Sequence, residues 1–103
     1  MSWHPGRDLD SLVERTVFGR ATGDKVPPYS SDEQTALAVV VEMERQGWRY
    51  SEDLGHDMSG RPGWRCKFDR RSDDPMTRDI GEFSSRSRAL AICVAALKAV
   101  RAA

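Results

Sequence analysis

The side chains best suited to chemistry in this chain are cations. Arg49, Arg65 and Lys67 sit at alternate positions of two extended segments, and Arg86 and Arg88 fall in the first turn of the last helical segment. The planar fork of arginine donors matches carboxylates and phosphates. A cation beside the free N–H groups of a helix N-terminus suits an anionic ligand, although the helix dipole disfavours it there. These five residues are the candidate ligand-binding set, for a nucleotide or another phosphorylated small molecule. Weighed against this is a solvated charged face, with Asp53, Asp69, Asp73 and Asp74 as compensating partners, and the balance favours the solvated face.

Other chemistries are not readable. His4, His56, Asp57, Cys66 and Cys93 have no metal-ligand spacing. No metal and no cofactor is therefore expected. Cys66 and Cys93 lie in apolar patterned segments, where burial raises a thiol pKa and makes it inert. They read as small core residues, and a disulfide scaffold is not expected. No G-x-S-x-G elbow or phosphate-binding glycine loop is present. Glu52 is the odd carboxylate, on an aromatic-rich strand face, where it reads as a rim residue paired with an Arg. No catalytic residue is assigned, and an enzyme is the least supported class.

Sixteen basic residues balance sixteen acidic ones, which removes any global attraction to nucleic acid or an anionic membrane. The chain's 103 residues suffice for one domain with one core. The N-terminus lacks the apolar run of a signal peptide. The longest apolar run, Ala89 to Leu97, is far below the ~20 residues that cross a bilayer. A cytoplasmic protein with no membrane contact is expected.

The elements that must position these residues follow from periodicity. Residues 1–7 read as a flexible tail before a single α+β domain over 8–103. Asp8 to Phe18 carries Leu9, Leu12, Val13 and Val17 on one helical stripe, with Asp8 as N-cap and Gly19 as stop. Ser30 with Glu33 fits a capping box for a second helix, whose stripe is Leu37, Val40, Val41 and Met43 and whose stop is Gly47. Trp48 to Leu54 and Trp64 to Asp69 alternate apolar and polar residues, the mark of half-buried strands. The Gly- and Asp-rich stretch from Gly55 to Gly63 joins them as an antiparallel hairpin. Arg78 to Phe83 reads as a weak third strand. Ser84 or Ser85 caps the last helix, whose stripe is Leu90, Cys93, Val94, Leu97 and Val100.

Several blocks together resemble the phage ABA sandwich domain family. They are Leu9-Asp10-x-Leu12-Val13-Glu14 with Val17-Phe18-Gly19, Pro28-Tyr29-Ser30-x-Asp32, the Val39-to-Met43 helix, and Arg88-Ala89-Leu90-Ala91-Ile92-Cys93-x-Ala95-Ala96-Leu97-Lys98-Ala99. The resemblance implies a phage or prophage origin and helix–sheet–helix layering, with no established activity and no catalytic residues. Such layering needs two apolar sheet faces, yet Arg49, Asp53, Arg65, Lys67 and Asp69 share one face. Either that face is solvated or a second subunit completes the layers.

The leading expectation is a non-enzymatic accessory protein that binds a host protein or its own copies. The almost wholly apolar last helix motivates a homo-oligomer, with Ile92 and Ala96 on the side awaiting a cover. Trp3 and Tyr29 are the other candidate partner-binding residues, both expected to be exposed. Capture of an anionic small molecule is the alternative. Nucleic-acid binding through the hairpin is the third.

Overall fold

The computed structural model describes residues 3–21, 23, 25–56, 59–71 and 78–102. The order is α1 (Arg7–Thr16), α2 (Glu33–Arg45), β1 (Arg49–His56), β2 (Pro62–Arg71), β3 (Arg78–Ser85) and α3 (Arg88–Ala102). The α+β class and the α-α-β-β-β-α order are those expected. The strands form one antiparallel sheet in the order β1-β2-β3. Both hairpin strands run further than their alternation suggested, so the loop predicted over Gly55–Gly63 shrinks to the residues between His56 and Pro62.

Period two decides which side chains meet α3. Tyr50, Cys66 and Phe68 share the inner face, in register Tyr50 with Phe68 and Glu52 with Cys66. Cys66 and Phe68 are wholly buried. Leu54 belongs to the same parity, but at the end of β1 it is 75% exposed and not part of the core.

The α3 helix packs on β2 and β3 and also against α2 and α1. Every residue from Ala89 to Leu97 is buried. This corrects the expectation that Ile92 and Ala96 await a second subunit: both are 0% exposed within a single chain. The small residues have another cause. At Gly81 the backbones of β3 and α3 nearly touch, since a Cβ there would lie 2.1 Å from the Ala99 nitrogen and 2.2 Å from the Ala95 oxygen. Ala95 and Ala99 are small because a strand backbone presses on them.

The helices thus lie on the inner side, and the outer face carries no helix among the described residues. Within the single chain the charged strand face is uncovered: Arg49, Ser51, Asp53 and Glu82 on it are exposed.

Four local expectations are corrected. Ser30 does not cap α2, because its N–H and hydroxyl both donate to Asp10 Oδ1, at 2.7 and 2.6 Å. The cap is Asp32, whose carboxylate accepts from the Thr35 N–H. The core stripe of α2 is Ala36, Val39, Val40 and Met43, leaving Leu37 and Val41 exposed. The first helix starts at Arg7 after Gly6, with no side-chain cap from Asp8, and α3 is capped by Ser87, which accepts from the Leu90 N–H at 3.2 Å. Gly47 follows α2 at φ 98°, the left-handed stop expected there.

Candidate functional site

The outer face is built by side chains that alternate with the core residues. β1 contributes Arg49, Ser51 and Asp53, β2 contributes Arg65, Lys67 and Asp69, and β3 contributes Ile80 and Glu82. Register sets Asp53 opposite Arg65 and Lys67 opposite Glu82. Arg65 grips Asp53 with two donors, Nε at 3.2 Å and Nη2 at 2.8 Å. These hydrogen bonds, with the charges of Arg65 and Lys67, hold the Asp53 carboxyl below its ordinary value. Asp69 lies between Arg49 at 3.7 Å and Arg78 at 3.4 Å. A shallow depression of about 250 Å³ is lined by Ser51, Asp53, Arg65, Lys67 and Glu82. Its two cations face two anions, so a ligand of one sign gains little there. Ile80, 48% exposed, is the apolar side chain on this face.

The second concentration of polar groups lies where α3 begins. Arg88 forms a fork on Glu52, Nε to Oε2 at 2.9 Å and Nη2 to Oε1 at 2.6 Å, and its Nη1 reaches Glu33 at 2.9 Å. Its guanidinium also lies 5.2 Å from the centroid of Trp64. Glu52 is therefore the Arg-paired rim carboxylate anticipated for it. Burial pushes its carboxyl up, but hydrogen bonds from Arg88 and Tyr50 and the Arg88 charge outweigh this and hold it below the ordinary 4.5. The Tyr50 hydroxyl donates to Glu52 at 2.5 Å and lies 3.3 Å from Cys66 Sγ. Burial pushes the Cys66 thiol up to about 11 and moves Cys93 in the same direction. Neither thiol ionises near neutrality. A depression of about 340 Å³ beside this cluster is lined by Glu33, Trp64, Arg86, Ser87 and Arg88.

The five candidate ligand-binding cations are not one site. Arg49, Arg65 and Lys67 share the outer face. Arg88 sits on the inner side, where two carboxylates occupy it and compensate the unfavourable placement of a cation at the start of α3. Arg86 precedes α3 rather than lying in its first turn. It is exposed and forms no ion pair with a described residue. Asp57, Asp73 and Asp74 lie outside the described residues.

The partner-binding candidates divide too. Tyr29 is 2% exposed, which corrects its expected exposure. Its hydroxyl donates to the buried Glu14 at 3.0 Å, and its ring stacks on Phe18 at 5.1 Å. Burial and the Glu14 carboxylate push the phenol up to about 12. Trp3 is partly buried against the core, with the Arg101 guanidinium 5.6 Å from its ring centroid. The residues that periodicity overlooked are Glu33, Ile80 and Glu82. Each takes its place through register or a contact between elements, which no local pattern encodes. No group of His, Cys, Asp and Glu suited to a metal occurs among the described residues, and no described helix is long and apolar enough to cross a membrane.

Comparison with family models, curated proteins and solved structures finds no match to this chain.

Proposed function

We propose that the chain is a phage- or prophage-encoded accessory protein that acts by binding, engaging a host protein or another copy of itself through its sheet. The observation that carries this reading is the uncovered outer face, where Arg65 is paired with Asp53, Lys67 stands opposite Glu82, and Ile80 is exposed on the edge strand β3. A mixed-charge face bordered by an exposed apolar side chain suits a protein surface of complementary pattern, since charge placement sets orientation and rejects wrong partners. The resemblance of the helical blocks to a phage family supports the origin.

Binding of an anionic small molecule has less support. Arg65 and Arg88 already satisfy carboxylates, and only Lys67 and Arg86 of the candidate set lack an ion pair within 4 Å among the described residues. Nucleic acid is disfavoured on the same ground and by the zero net charge. The test is affinity capture from host lysate with the native chain and with Lys67→Glu, each checked for folding by circular dichroism. A host protein held by the native chain and lost with Lys67→Glu supports the outer face. Equal recovery by both removes it. A thermal-shift screen with nucleotides tests the alternative: a raised melting temperature would favour it.

A further inference from the structure

The β3 strand ends the sheet, and among the described residues its backbone pairs only with β2. An unpaired strand edge is a ready template for another strand. Most edges are guarded by charge, but the charges of β3 are arranged differently. Ile80 stands on the outer face, 48% exposed, with Arg78 two positions before it and Glu82 two positions after it on the same face. Opposite charges at equal spacing about an apolar centre are self-complementary in an antiparallel pairing.

We infer that two copies of this chain pair β3 against β3 about a two-fold axis at Ile80, giving one continuous six-stranded sheet. Ile80 then faces Ile80 of the other copy, and Arg78 faces Glu82 of the other copy twice, as two-fold symmetry requires. On the inner side Asp79 comes opposite Gly81, the point over which α3 packs. The outward N–H and C=O groups of both strands become paired. The other edge, β1, is the weaker template. Arg49 and Asp53 flank Ser51 in a similar pattern, but the centre is polar and brings no apolar contact to a pairing. This pairing rests on the self-association half of the binding reading and is independent of capture of a host protein.

The test is mass by multi-angle light scattering of the full chain at roughly 100 µM, a concentration that populates complexes of micromolar affinity. The native chain should weigh twice 11.6 kDa. Glu82→Arg sets like charges opposite each other and should weaken the dimer at least about tenfold, since like charges directly opposite are destabilising. Arg78→Glu should do the same. Mixing the two single variants should restore a dimer, because every cross-strand pair is again of opposite sign. Arg78 also touches Asp69, so Ile80→Cys supplies a second measurement. Under mild oxidation it should give a disulfide-linked dimer, with the wholly buried Cys66 and Cys93 unable to contribute. A native chain that stays monomeric overturns the inference, as does a Glu82→Arg dimer as tight as the native one. Absence of the Ile80→Cys cross-link overturns the β3 register. None of these results touches the Lys67-dependent capture.

Discussion

The two faces of the sheet are made by alternate residues of the same strands, and they do opposite things. On the inner face Cys66 and Phe68 are wholly buried and Gly81 lets α3 approach to backbone contact. On the outer face Asp53, Arg65, Lys67 and Glu82 lie side by side on neighbouring strands, with no helix over them among the described residues. Position 66 is core and position 67 is surface. The difference teaches that core packing and an exposed charged surface can be separated one residue apart. Substitutions of the buried inner-face residues should cost folding, and those of the exposed outer-face residues should leave it intact.

The largest effect should come from the core. Phe68→Ala removes a wholly buried ring and should destabilise by about 4 kcal/mol in urea titration. Gly81→Ala follows, at about 3 kcal/mol, because its methyl would collide with helix backbone that cannot step aside alone. Near-native stability for Gly81→Ala would mean that α3 does not press on β3. Tyr29→Phe deletes the hydroxyl that donates to buried Glu14 and should lose about 1–2 kcal/mol.

The Glu52–Arg88 pair sharpens the comparison by its pH dependence. The Glu52 carboxyl titrates below its ordinary 4.5 in the folded chain. The unfolded chain therefore binds the proton first on acidification. The stabilisation is fully present above about pH 4.5 and is lost as pH falls through the lower folded value. The urea midpoints of the native chain and Glu52→Gln should differ at pH 7 and converge once the pH has fallen through the lowered folded value. A gap that persists in acid would assign the pair a packing role alone. The smallest effect belongs to the outer face: Arg65→Ala should leave the urea midpoint unchanged within error, since exposed pairs contribute little.

Much of the architecture was legible in the sequence because period two admits one assignment of faces once Trp64, Cys66 and Phe68 alternate with Arg65, Lys67 and Asp69. The face of α2 was not, because Leu37 and Val41 compete with Ala36 and Val39 for the same stripe and hydropathy alone does not choose between them. Ser30 is a good cap by type, yet Asp10 of α1 takes its hydroxyl, and capping passes to Asp32. Tyr29 follows two prolines and reads as exposed, but a buried carboxylate elsewhere in the chain needs its hydroxyl. The cation set failed as one site for a similar reason: Arg88 is claimed by Glu33 and Glu52 from other elements. The apolar character of α3 was read correctly and explained wrongly, since its cover comes from the same chain.

The separation of the two faces is tested most directly by thiol labelling at neighbouring positions. In native buffer at pH 8 a thiol reagent should find neither Cys66 nor Cys93 in the unaltered chain, and both should react at once in denaturant. Lys67→Cys should add a single fast-reacting thiol in native buffer. Rapid labelling of Cys66 in the folded chain, or a silent thiol at position 67, would show the sheet turned the other way and contradict the assignment of core and contact surface.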